Sequence, residues 1–177
     1  MPVFSRSEAR TQRGFTLVEM VAVLVLLGIL SAAAYSRFDN VSVYQHRVFQ
    51  DLVVSSLRLA QRTALSHHAS SVTWQIQPIA NNQWQMSIAI DGTTHNSETT
   101  QYLQTLQYNA DLSGGTTLSG SLAASQTLTL RYDKNGNAQW TSNGTVQGTL
   151  TSSMQLRLSA QRVCVSLTGY AYEGLCR

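Results

Sequence analysis

Between residues 15 and 35 the chain is apolar at almost every position; Thr16, Glu19, Gly28 and Ser31 are the interruptions. As a helix, these 21 residues would be roughly 32 Å long, enough to cross a bilayer core. Glu19 falls in the first turn of that helix. A charged side chain in hydrocarbon costs on the order of 2.5–3.5 kcal/mol, so this carboxylate calls for a partner. Beyond the apolar run the helical period continues. Val41, Tyr44, Val48, Leu52 and Leu59 fall near one stripe, and Phe49, Val53, Leu57, Ala60 and Ala64 widen it. Intervals of three, four and seven are those of an amphipathic helix packed on a core. The pattern predicts a helix over residues 15–66. Its first half faces lipid or a filament, and its second half packs against a globular domain.

From Ser71 the period changes to two. Val72, Trp74 and Ile76 alternate with polar residues, as do Trp84, Met86, Ile88 and Ile90, with residues 78–82 between them; this predicts a β-hairpin. Weaker strands are expected over 102–108 and 116–122, and a stronger one over 127–132. Asp133-Lys134-Asn135-Gly136 reads as a turn into 138–140. Residues 154–158 and 162–167 read as the last core strands, followed by a turn at Thr168-Gly169 and a short return strand at 170–172. The expected fold class is α+β: a long N-terminal transmembrane and amphipathic helix, then an antiparallel β domain.

Ahead of the apolar run, residues 1–14 carry Arg6, Arg10 and Arg13 against a single Glu8. Positive charge at that boundary holds it in the cytoplasm, so the following domain is exported. A cleaved secretory signal fits less well than an anchor. Its apolar core should span about 7–15 residues before a small-residue site. Ser31-Ala32-Ala33-Ala34 mimics such a site, but a secretory signal gives no reason for Glu19.

Gly14-Phe15-Thr16-Leu17-Val18-Glu19 resembles the class III signal of type IV pilins and of the pseudopilins of type II secretion. The resemblance implies cleavage between Gly14 and Phe15 by a prepilin peptidase, which also methylates the new amino group of Phe15. It implies that Glu19 is the acidic residue, five positions into the mature chain, that serves assembly. The physics agrees. Cleavage creates an ammonium at Phe15, one helical turn from Glu19 or within reach of a neighbouring subunit's carboxylate, and opposite charges attract more strongly at low dielectric. Glu19 also complements the positive end of its own helix dipole. Pilins often carry a proline at the end of the membrane half; Ala34-Tyr35-Ser36-Arg37 has none, which removes that reason for a kink.

Formal net charge is +3. Removal of residues 1–14 leaves nine basic and eight acidic side chains, or +1, so the basic excess is mostly topological and announces no nucleic-acid partner. The two cysteines, Cys164 and Cys176, lie near the C-terminal end. Outside the inner membrane a disulfide is permitted and is the preferred reading over two buried thiols. Two cysteines with no nearby histidine make an incomplete metal set.

Downstream, Leu57-Arg58-Leu59-Ala60-Gln61-Arg62-Thr63-Ala64 followed by Val72-Thr73-Trp74 resembles the helix-to-strand passage of H-type pseudopilins and FimT-like minor pilins. Leu130-Arg131-Tyr132-Asp133-Lys134-Asn135-Gly136-Asn137-Ala138 resembles their aromatic-Asp-x-x-Gly turn. Arg162-Val163-Cys164-Val165-Ser166-Leu167-Thr168-Gly169 resembles their closing strand. Within that group, chain length and the paired cysteines are most similar to minor pilins of mannose-sensitive haemagglutinin pili.

Other chemistry is weakly supported. No Gly-x-Ser-x-Gly elbow is present for a hydrolase. The histidines are His46, His67, His68 and His95; adjacent His67 and His68 point apart, and no acidic ligands cluster near them. Asp91 and Asp133 lie at turn signals, and Asp39 and Asp51 on solvated helix faces. Asn143-Gly144-Thr145 matches a glycosylation triplet but reads more simply as a turn. Some FimT-like pilins are implied to bind DNA through a basic tract after the closing glycine. Here residues 169–174 contain no arginine, and Glu173 opposes phosphate. A patch of Arg157, Arg162 and Arg177 with Tyr170 and Tyr172 as stacking surfaces is the remaining route to nucleic acid.

The resulting expectation is a minor (pseudo)pilin with no enzymatic activity and no cofactor. It has a leader over 1–14, a transmembrane and assembly helix over 15–36, an amphipathic half over 37–66 and a β-rich periplasmic or surface domain over 67–177. Its expected partners are a prepilin peptidase, the inner membrane, which it crosses once, and other pilin or pseudopilin subunits. The alternatives are an H-type minor pseudopilin of type II secretion and a DNA- or receptor-binding minor pilin.

Overall fold

The computed structural model describes residues 16–35, 41–68, 71–80 and 82–177. It falls into two units, Met1–Val41 and Ser42–Arg177. In the first, helix α1 spans Leu17–Tyr35. Its 19 residues rise about 28 Å. Among the described residues no helix is long and apolar enough to cross a membrane.

Helix α2, Val41–Ser66, lies in the second unit from its second residue on. Its buried stripe is Phe49, Val53, Leu57, Ala60 and Ala64. At roughly 100° per residue these five positions fall within about 80° of arc, which is why they form the face. The stripe expected through Tyr44 and Leu59 is corrected: Tyr44 is 71% and Leu59 42% exposed, because both fall outside that arc. Val48 and Leu52 flank it, half-buried. The C-terminal end at Ser66 agrees with the sequence reading. There Thr63 accepts from the His67 amide at 3.0 Å, and the His67 ring lies 3.0 Å from the same carbonyl. Residue 15 and residues 36–40, part of the one helix expected over 15–66, lie outside the described residues.

Among the described residues eleven strands follow: β1 Val72–Ile79, β2 Gln83–Ile90, β3 Thr93–Gln101, β4 Leu106–Asp111, β5 Thr117–Ser121, β6 Leu128–Tyr132, β7 Ala138–Ser142, β8 Gln147–Thr149, β9 Met154–Leu158, β10 Gln161–Val165 and β11 Ala171–Glu173. They form two antiparallel sheets, ordered β3-β2-β1-β6-β7-β8 and β11-β10-β9-β4-β5. The α+β class is as expected. The alternation in β1 and β2 buries Trp74, Ile76, Trp84 and Met86 toward α2, and α2 meets both sheets. The Trp74 indole donates to Ser56 at 2.9 Å. On the other side, Gln50 donates to the Arg162 carbonyl and Arg58 to the Ala171 carbonyl, at 3.0 and 2.9 Å. One contiguous apolar core joins the helix and the sheets.

Two strands were not expected. β3 has no apolar residue and is mostly exposed; it is an edge strand held by backbone pairing to β2. Its signal was Asp91-Gly92, whose positive φ values of 49° and 82° form the two-residue turn that suits hairpin twist. β8 is a three-residue edge. The strand expected over 102–108 begins only at Leu106. Tyr102 instead stacks on Phe49 with ring centroids 4.0 Å apart, and its carbonyl accepts from the Trp84 indole. Burial pushes its phenol up to about 12.

Asp133 organises the β6–β7 turn. Its carboxylate accepts from the amides of Asn135 and Asn137 and from the Asn137 side chain, at 2.9, 2.8 and 3.0 Å. Partial burial raises this carboxyl, but those hydrogen bonds and the Lys134 charge outweigh it and hold the pKa below the usual value. A depressed folded-state pKa contributes stability above the unfolded value, about 3.9, and that contribution is lost as pH falls through the folded one. Asp133→Asn should therefore flatten the loss of stability below about pH 4. Urea unfolding across that range checks this; parallel curves for the two proteins would remove Asp133 from the acid response.

Candidate functional site

The first turn of α1 is built by Thr16 and Glu19. The Thr16 hydroxyl accepts from the Glu19 amide at 3.3 Å, and the Thr16 carbonyl accepts from Met20 at 3.2 Å. Thr16 is thus the N-cap, in the Thr-x-x-Glu pattern of a capping box. The sequence reading passed over this role, although the pattern was visible. The Glu19 carboxylate does not close the reciprocal bond of the box and has no hydrogen-bond or ion-pair partner among the described residues.

Every described side chain of α1, residues 17–32, is exposed. Leu17, Leu24, Ile29 and Leu30 are each more than 60% exposed, and apolar residues lie on all faces, without the one-sided stripe of α2. An added Cβ at Gly28 would meet nothing within 4 Å. Such a helix asks for a surrounding apolar phase, whether lipid or like helices. Gly14 and Phe15, the expected processing positions, lie outside the described residues, as does Asp39.

The remaining sequence candidates are spread through the β domain. Cys164 and Cys176 form a disulfide with Cα atoms 5.1 Å apart. It ties the tail after β11 to β10, a short closed loop worth about 3 kcal/mol in the chain-entropy model. Replacing both cysteines with serine should lower stability by about that amount. Chemical unfolding checks this; an unchanged midpoint would mean that the Gln155 contacts to Gly174 and Cys176 hold the tail alone.

His46 meets Tyr102 edge-on, His68 lies 3.4 Å from the Lys134 carbonyl, and His95 is on exposed β3. Among the described residues no three His, Cys, Asp or Glu side chains gather where they could hold a metal. Asn143 is buried. Its side-chain oxygen accepts from the amides of Thr145 and Val146, and its side-chain nitrogen donates to Tyr108, so the triplet there is a turn.

The Arg–Tyr patch considered for nucleic acid is rearranged. Tyr170 and Tyr172 stack on each other, and Arg58 from α2 covers Tyr170 at 5.1 Å. Arg157 and Arg162 face each other across β9 and β10. Glu173 pairs with Val163 and so lies on the opposite sheet face from Arg162.

Residues 9–35 match the prokaryotic N-terminal methylation motif. Residues 51–169, about two thirds of the chain, match the type II transport protein GspH family. The chain belongs to the GspH family. It is a minor pseudopilin or pilin subunit of a type II secretion or type IV pilus system. No curated protein and no solved structure matches it. The GspH match begins within α2 and ends at Gly169, spanning most of the β domain, while the methylation motif covers Thr16, Glu19 and α1. The motif implies processing by a prepilin peptidase and assembly with other pilin subunits. In this GspH-family subunit the exposed apolar helix and the compact β domain therefore fall under separate matches.

Proposed function

We propose that this chain is a structural subunit, without catalytic activity, whose mechanism is polymerisation through α1. The supporting observation is a helix apolar on all faces whose one first-turn carboxylate has no partner among the described residues. Residues 1–14 act as the leader, cleaved between Gly14 and Phe15, and the new Phe15 amine is methylated. Before assembly the apolar run over 15–36 holds the subunit in the inner membrane as a single pass, with Arg6, Arg10 and Arg13 on the cytoplasmic side. Residues 37–66 carry the link to the domain over 67–177, which lies in the periplasm and then on the fibre surface.

The carboxylate drives the transfer. In lipid, Glu19 lacks a counterion and destabilises the stored subunit. In the fibre axis, the ammonium of Phe15, its own or a neighbour's, supplies one, and small residues at 32–34 let helices approach closely. A subunit that gains an ion pair while its apolar surface stays dry moves from membrane to fibre.

Fibres or pseudopili purified from the host should contain the chain in small amount. That amount should vanish when prepilin peptidase is deleted. Fibres that lack the chain in the wild-type strain would overturn the proposal. A type IV pilus and a type II secretion pseudopilus share this logic; loss of fibres against loss of protein secretion in a deletion strain distinguishes them.

A further inference from the structure

On the outer face of the second sheet, turned away from α2, β4, β5, β9 and β10 form a groove of about 400 Å³. Alternation puts Gln107 and Asn109 of β4 on this face, with Ser119 and Ser121 of β5 beside them, all exposed. A second concavity of about 460 Å³ shares Gln107 and Arg157 with the first, so the groove is extended. On one side the C-terminal tail is fixed by Gln155, whose amide donates to the Gly174 carbonyl and accepts from the Cys176 amide.

The charge in this groove is unbalanced. Arg157 and Arg162 are direct partners in the β9–β10 register, and like charges directly opposite each other destabilise a sheet. Neither forms an ion pair among the described residues. Among the described residues Arg157 donates only to the Ser159 carbonyl, at 3.2 Å, and the Arg162 guanidinium makes no hydrogen bond. Among the described residues no carboxylate lines the groove. The carboxylate further along β4, Asp111, is already engaged by Ser152 and Thr117. The side chains of Gln107, Asn109, Ser119 and Ser121 make no hydrogen bond among the described residues. A local rule broken without internal compensation points to an outside partner.

We propose that this groove binds an acidic saccharide chain. Two adjacent guanidiniums suit carboxylates. Free amides and hydroxyls suit sugar hydroxyls, and the extended shape suits an oligomer rather than a lone ion. A single nucleic-acid strand fits less well, because it gains from stacking platforms, and the Tyr170–Tyr172 pair is occupied by its own stack and by Arg58. The site is separate from the assembly helix, so its failure leaves that reading untouched.

The test is titration of the full mature chain in detergent with an oligogalacturonate, set beside neutral dextran, polyglutamate and oligo-dT. Saturable binding of the galacturonate alone is expected. Arg157→Gln and Arg162→Gln should each weaken it about tenfold or more, while Arg131→Gln, on the other sheet, leaves it unchanged. If an arginine variant melts early, Asn109→Asp, at an exposed position, should weaken binding in a protein that melts normally. No galacturonate binding, or binding indifferent to the groove variants, overturns the proposal. So does equal affinity for polyglutamate, which marks a simple charge patch, or for oligo-dT, which marks a nucleic-acid strand.

Discussion

Glu19→Ala and Glu19→Gln are expected to leave the subunit processed but stranded in the membrane. The carboxylate is exposed, has no partner among the described residues, and is placed by the Thr16 cap at the start of an apolar helix. In the proposed bundle its loss leaves an ammonium without a counterion where water is scarce. A hydrogen bond to a charged group contributes about 1.5–3 kcal/mol, so the fraction of chain recovered in fibres should fall roughly 10- to 100-fold. Glutamine keeps the length and polarity of the side chain, so a matching defect in both variants assigns the effect to charge. The measurement is the ratio of chain in the sheared fibre fraction to chain in membranes, with leader removal followed by mass. Normal incorporation of both variants would refute the pairing. A failure of cleavage would move the role of Glu19 from assembly to peptidase recognition.

The largest expected loss of stability lies far from that helix, at Gly169. This residue has φ +79°, and an added Cβ would overlap the carbonyl oxygen of Gly136. The two glycines sit where the β10–β11 turn meets the β6–β7 turn. The Ala138 amide donates to the Leu167 carbonyl at 3.0 Å. Gln61 of α2 spans both turns, donating to the carbonyls of Gly136 and Thr168 at 3.3 and 2.8 Å. The obstruction is backbone, so no side-chain rotation relieves it. Gly169→Ala should cost about 3–5 kcal/mol, the sum of an unfavourable φ and a forced separation of the turns. Gly114→Ala is the control. It also has positive φ, +84°, but nothing lies within 4 Å of the added atom, so only the backbone term of about 1 kcal/mol applies. Thermal unfolding of both variants checks the ranking. Equal losses would mean that the junction opens without cost.

Elements whose stabilisation is local or one-sided were legible in the chain. The period of two in β1 and β2, the Asp133 turn and the end of α2 at Ser66 each carry their cause within a few residues. β3 was hidden because its cause is a backbone ladder with β2; its side chains face water and leave no alternation. The phase of α2 was misjudged at Tyr44 and Leu59, since several overlapping stripes are compatible with an apolar-rich helix until the sheets choose one. Sheet order was not legible, because β1–β6 and β4–β9 are pairings of distant segments. At the candidate site, Glu19 stood out as a charge in apolar sequence, while the Thr16 cap was written in Thr-x-x-Glu and overlooked. The contact between Gly136 and Gly169 joins turns more than thirty residues apart and left no local trace.

The most direct test of the account is the mass of the N-terminal peptide from the chain isolated from its native host. The account predicts a peptide that begins at Phe15 and carries one added methyl group on its amine. A terminus at Met1, or one generated after Ala34, would contradict it.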